Sequence, residues 1–223
     1  VEDLEKKLKA SKGNVFVVTE SVFSMDGDIA PLGEINVLCK KFNANIIIDE
    51  AHATGTVGEK GEGLVQHLNL QKKCFARIHT FGKACGVHGA IILGSEKLKD
   101  YLINFSRQFI YTTSLPQISI SAIRASYKIF PGLTKERGHL ASLIDQFQKS
   151  EVRSQKSMTP IQIVIVPGNN EAKATAEKLQ RHNLDVRAIL YPTVPKGSER
   201  LRIVLHSFNT GEEVDELLDI LKG

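Results

Sequence analysis

The 223 residues carry 42% hydrophobic and 24% charged side chains, the balance of an ordinary globular chain, which excludes disorder and collagen-like repeats. Lys plus Arg number 29 against 25 Asp plus Glu, and the basic residues are scattered, which fits anionic small ligands better than a nucleic-acid surface. The longest apolar runs, 44–48 and 161–166, are far too short to cross a bilayer as helices, so no membrane partner is expected.

In chain order, residues 1–10 have helical periodicity with Leu4 and Leu8 on one face, and Gly13-Asn14 ends the element. Residues 15–19 (VFVVT) predict a short buried strand, followed by the loop SVFSMDGDIAPL and a helix over 35–42. Residues 44–49 (ANIIID) predict a second buried strand ending in acids. Gly55, Gly58, Gly61 and Gly63 mark a loop, and strands are expected over 75–79 and 87–93. This alternation of short apolar strands with helices predicts an α/β domain with a mostly parallel sheet.

From Ser95 the character changes. Helices are expected over 96–107 and 119–129, with Pro131-Gly132 as a hinge and a charged helix reaching about Lys149. A strand over 161–166, a helix over 170–182, strands over 186–189 and 201–205, and an amphipathic helix over 211–222 form a second, α+β unit. The expected domains are 1–130 and 131–223. With no initiator Met and a helical opening (VEDLEKKLK), the chain is expected to be the C-terminal part of something longer. Cys39, Cys74 and Cys85 are an odd number without CxxC spacing, which argues for a reducing, cytoplasmic setting.

The segment IIIDEAHATG (46–55) carries the strongest local signal. Asp49 and His52 fall just past a buried strand, where open α/β sheets place ligands. Three readings fit it: a helicase-type ATPase with Asp-Glu-Ala-His holding magnesium, a pyridoxal phosphate enzyme with the Asp on the pyridine nitrogen, or an acidic strand end with a solvated His. The ATPase needs a phosphate-cradling GxxxxGK[ST] loop, which the chain lacks, and nothing downstream resembles an arginine-rich hydrolysis motif.

The pyridoxal phosphate reading needs a lysine at a neighbouring strand end to form a Schiff base with the cofactor's aldehyde. Lys83 meets this demand in HTFGKACGVHGA, among Gly82, Gly86 and Gly89, which allow close approach to a flat ring. A lysine in such a turn is expected to be buried, which is costly unless it is neutralised or paired. Thr80, three residues earlier, can give a hydroxyl to the cofactor phosphate.

Together TESVFSMDGDIAPL, IIIDEAHATGTVGEKGEG, HTFGKACGVHGA, FIYTTSLP and YPTVPKGSERLRI resemble the α-oxoamine synthase family of fold-type I pyridoxal phosphate enzymes, in the family's order and over nearly the whole chain. The resemblance implies that the chain is the second half of a large, mostly parallel-sheet domain plus a small α+β domain. The implied activity is decarboxylative condensation of an amino acid with an acyl-CoA or acyl-carrier-protein thioester. The DEAHATG segment and the TFGKACG turn look closer to an alanine-using member than to glycine-using ones.

Residue by residue, the resemblance implies that Lys83 is the Schiff-base lysine, Asp49 the partner of the pyridine nitrogen, and His52 and Ser24 neighbours of the phenolic oxygen. Thr80 matches a phosphate ligand, and Thr112 or Thr113 a phosphate contact reaching in from the partner of a homodimer with shared sites. Arg202 matches the arginine that grips the amino-acid carboxylate with a planar fork, and Thr193 a substrate-contacting threonine. Each has a plainer alternative: turn residues for Ser24, Thr112 and Thr113, and a surface pair with Glu199 for Arg202. In the family, the glycine-containing phosphate loop and the residue stacked on the ring come from an upstream part absent here. The spacings of Cys74, His79, Cys85 and His88 match no standard zinc site, so no metal is expected. Cys85 reads as a small buried filler.

Overall fold

A computed structural model describes residues 1–152 and 154–222. It divides the chain into two compact units. One comprises Val1–Val22 and Ala30–Thr134; the other comprises Phe23–Ile29 and the chain from Lys135 onward.

The first unit holds α1 (Glu2–Ala10), β1 (Phe16–Glu20), α2 (Leu32–Lys41), β2 (Asn45–Asp49), α3 (Leu64–His67), β3 (Ala76–Thr80), β4 (Ala90–Gly94), α4 (Glu96–Phe105), α5 (Arg107–Ile110) and α6 (Gln117–Ile129). A short 3₁₀ turn, Phe130–Gly132, follows α6. The sheet order is β1-β2-β3-β4. β1, β2 and β3 are parallel, and β4 runs antiparallel to β3. The reversal has a simple cause: the link over residues 81–89 is too short for a parallel crossover, which takes about a dozen residues or more.

Helical spacing on α2 buries Leu32, Ile35, Leu38 and Cys39. Asn43, at φ +51°, then turns the chain into β2, and the Ala44 N–H donates to the Cys39 carbonyl at 2.8 Å. Ile46 and Ile48 alternate into the core. The expectation of a buried strand at 15–19 is corrected. Phe16 and Val18 are 48% and 70% exposed, because β1 is an edge strand and no described residue covers that face of it.

In the second unit β5 (Ser154–Gln155), β6 (Ile161–Ile165), β7 (Arg187–Ile189) and β8 (Arg200–Val204) form an antiparallel sheet of order β5-β6-β8-β7. Period-two alternation sends Leu201 and Ile203 of β8 into a core with α7 (Thr134–Gln148), α8 (Asn169–Arg181) and α9 (Gly211–Lys222). Leu143, Phe147, Leu179 and Leu201 there are essentially solvent-free, each contributing about 1.5–3 kcal/mol by burial. α9 starts at a capping box: Thr210 Oγ1 accepts from the Glu213 N–H, and Glu213 Oε2 accepts from the Thr210 N–H. Hydrogen bonds from the Asn209 side chain and the Thr210 N–H hold the Glu213 carboxyl below the usual range. No helix among the described residues is long and apolar enough to cross a membrane.

Candidate functional site

β2 and β3 are parallel, with Asp49 opposite Ile78, so both strands end at one edge of the sheet. Asp49 closes β2 and Thr80 closes β3, at the carboxyl ends where open α/β sheets bind ligands. The Asp49 carbonyl accepts from the Ser21 N–H and hydroxyl, which ties the strand end to the segment following β1. Its carboxylate Oδ1 accepts from the Ala51 N–H at 2.8 Å, while Oδ2 has no hydrogen-bond partner among the described residues. One helical turn follows, in which the Ala53 and Thr54 N–H groups both donate to the Glu50 carbonyl. It carries the partly exposed His52.

Lys83 lies in the turn between β3 and β4. Hydrogen bonds from Phe81 N–H to the Gly89 carbonyl (2.9 Å) and from Val87 N–H to the Phe81 carbonyl (2.8 Å) close the turn's base. The Gly86 N–H donates to the Lys83 carbonyl with Gly86 at φ +63°, a left-handed conformation that glycine adopts without strain. Phe81 and Cys85 anchor the turn in a small core with Phe130, and burial pushes the Cys85 thiol up, as suits a filler. Lys83 itself is exposed, as are Gly82 and Ala84. The expectation that Lys83 is buried is therefore corrected: the turn buries its two anchors and presents the amine between them to solvent.

Thr80 Oγ1 is buried and has no hydrogen-bond partner among the described residues. An unsatisfied buried hydroxyl costs about 1–3 kcal/mol, so it marks a place where a polar ligand group would be stabilised.

Sequence reasoning missed Glu50. Its side chain is fully buried and accepts from the Val65 N–H at 2.8 Å. Oε2 lies 3.3 Å from His79 Nε2 and 3.8 Å from Arg77 Nη1, and His79 Nδ1 lies 3.1 Å from the Tyr127 hydroxyl. This network links the residue that follows β2 to β3, α3 and α6. The enclosure of Glu50 also depends on Gly63: at φ +91°, a Cβ there would sit 2.8 Å from Glu50 Oε1. A glutamate so enclosed is no water-activating base for an ATPase.

In the second unit, alternation on β8 puts Arg200 and Arg202 on the face opposite the helices. Residues 23–29 lie on that face. The Arg202 Nε–H donates to the Ser24 carbonyl at 2.8 Å, Arg200 Nη1 pairs with the Asp26 carboxylate, and the Gly27 carbonyl accepts from the Ser157 and Thr159 hydroxyls, both at 2.9 Å. Arg202 is half-buried, which pushes its pKa down, and no acid among the described residues pairs with it. Glu199 accepts instead from the Gly168 and Gly197 N–H groups, so the pair with Arg202 does not form.

A Cβ on Gly27 would stand 2.5 Å from the Ile161 carbonyl oxygen, at φ +71°. Gly27→Ala is expected to destabilise the seating of 23–29 by about 1–3 kcal/mol. Faster amide hydrogen exchange over 23–28, with β2 and β3 unchanged, is the expected readout.

Thr112, Thr113 and Thr193 are exposed, and the only hydrogen bond among the described residues for the first two joins Thr112 Oγ1 to the Thr113 carbonyl at 3.4 Å. His79 is held by Glu50 and Tyr127, and Cys74 Sγ bonds the Leu70 carbonyl. No cluster of three or more His, Cys, Asp or Glu suited to a metal occurs among the described residues.

Comparison with known proteins adds the following. The sequence profile of the family "Aminotransferase class I and II" matches residues 1–221. The 8-amino-7-oxononanoate synthase of Emericella nidulans is 39% identical over 97% of the chain and 56% of its own length. Among solved structures, a Sphingomonas wittichii serine palmitoyltransferase superposes with a TM-score of 0.91 at 28% identity, covering 99% of this chain and 57% of that one. The 8-amino-7-oxononanoate synthase of Francisella tularensis superposes with a TM-score of 0.84 at 29% identity, covering 99% of this chain and 65% of that one. The chain thus spans a little over half the length of the curated relatives it matches.

Proposed function

Since the chain belongs to the aminotransferase class I and II family, whose α/β fold it shares, we propose that it binds pyridoxal 5′-phosphate and acts as an acyltransferase. The reaction is decarboxylative condensation of L-alanine with pimeloyl-CoA, or pimeloyl carrier protein, to 8-amino-7-oxononanoate in biotin biosynthesis. The likeness to 8-amino-7-oxononanoate synthases at 39% identity supports the substrate choice. The observation that carries the reading is the sheet edge that joins Asp49, the orphaned Thr80 hydroxyl and the exposed amine of Lys83.

These residues fit the cofactor's chemistry. Lys83 offers a primary amine for its aldehyde, the second oxygen of Asp49 an acceptor for a pyridinium N–H, and Thr80 a donor for its phosphate. His52 and Ser24 are assigned to the phenolic oxygen. When bound, pyridoxal phosphate supplies an electron sink for charge developing at the amino acid's Cα. Asp49 keeps the pyridine nitrogen protonated by its negative charge. Arg202 holds the substrate carboxylate with its fork, Thr193 contacts the substrate, and the Lys83 amine takes the Cα proton as general base.

Residues 1–130 are read as part of the cofactor-binding domain and 131–223 as the small domain. The proposed assembly is a homodimer with shared sites, in which the exposed Thr112 and Thr113 serve the partner's phosphate. Three free cysteines support a cytoplasmic location.

The test is a substrate panel on the cofactor-loaded protein. Release of carbon dioxide and free CoA is expected with L-alanine and pimeloyl-CoA, and at least tenfold less with glycine or serine, a difference of about 1.4 kcal/mol in barrier. Preference for serine with a long-chain acyl-CoA would overturn the substrate assignment.

A further inference from the structure

The three ties on residues 23–29 have a common outcome on β8. Arg200 is neutralised by Asp26, and Arg187, the cross-strand neighbour of Arg202, is neutralised by Asp185 at 2.8 Å. Arg200 Nε also donates to the Ser198 carbonyl, but Arg202 alone of the three has no carboxylate partner among the described residues: its Nε donates to the Ser24 carbonyl, and its terminal nitrogens make no hydrogen bond among the described residues. A backbone carbonyl fixes a guanidinium without cancelling its charge, whereas a carboxylate would compete with any anionic ligand. The Ser24 carbonyl is itself held in place by Asp26 on Arg200 and by the two hydroxyls on the Gly27 carbonyl.

We propose that Asp26 is a positioning residue for carboxylate recognition: by pairing with Arg200 it seats the 23–29 loop so that the Ser24 carbonyl orients Arg202, and it removes Arg200 as a competing cation. Ser157 and Thr159 serve the same end through Gly27. This rests on the reading of Arg202 as the carboxylate-binding arginine. Loss of Asp26 acts twice, freeing the loop that aims Arg202 and leaving a mostly buried Arg200 uncompensated.

The experiment compares binding of L-alanine with that of ethylamine, which has the amine but no carboxylate, to the pyridoxal-phosphate-loaded protein by absorbance titration. Asp26→Ala is expected to weaken L-alanine about tenfold, the scale of one charge-assisted contact, and to change ethylamine less than about twofold. Asp26→Glu restores most of the loss. Thr159→Val, which removes one tie and no charge, moves alanine affinity the same way by a smaller factor and decides the matter if Asp26→Ala does not fold. Unchanged alanine affinity in the variants overturns the proposal, as does equal weakening of both ligands, which marks a merely structural role. If the unsubstituted protein binds alanine no better than ethylamine, the Arg202 reading itself fails, and the positioning role with it.

Discussion

Replacing Glu50 with alanine is expected to destabilise the first unit by about 3–5 kcal/mol, the cost of removing one member of a buried charged network. The Val65 N–H would lose its acceptor, and Arg77 and His79 would lose the carboxylate that both approach. Arg77 Nη1 already lacks a hydrogen bond among the described residues, so Glu50 is its principal electrostatic compensation. Glu50→Gln keeps an acceptor for Val65 while giving up the charge, so a smaller loss of about 1–3 kcal/mol is expected. Amide hydrogen exchange separates the two units: protection should fall in β2, β3 and α3 and stay unchanged in β6 and β8. Equal loss in both units, or none, would contradict the role assigned to the network.

The second large effect concerns chemistry with the fold preserved. Asp49→Asn retains an amide oxygen that can accept from the Ala51 N–H, so the turn after β2 should stand. What is lost is the negative charge proposed to keep the pyridine nitrogen protonated. Exchange of the Cα proton of L-alanine in deuterated buffer is expected to slow by about 10²–10³-fold, the scale of removing one preorganised electrostatic group. An unchanged exchange rate with intact cofactor binding would remove Asp49 from this role.

Much of the fold was legible because β-branched runs and helical spacings are local signals. Residues 46–48 and 161–165 announce strands, and α9 follows from the periodicity of Val214, Leu217 and Leu218. The two-residue β5 and the single turn of α3 were missed, being too short to show a period. The exposure of Phe16 and Val18 depends on what lies across the sheet, which a local pattern does not encode. In the site, motif spacing pointed to Asp49 and Thr80, which end the adjacent strands β2 and β3, and to Lys83 in the turn that follows β3. It did not point to Glu50 or Asp26. Their roles come from contacts with His79, Arg77 and Arg200, partners distant in sequence, and acidic residues of identical type elsewhere in the chain simply face water.

The central claim is that Lys83 is the amine that carries pyridoxal phosphate. The most direct test is the intact mass of the protein after incubation with the cofactor and borohydride reduction, with peptide mapping of the product. A single adduct on Lys83, absent from Lys83→Ala, is the predicted result. An adduct spread over many surface lysines, or one undiminished in Lys83→Ala, would contradict it.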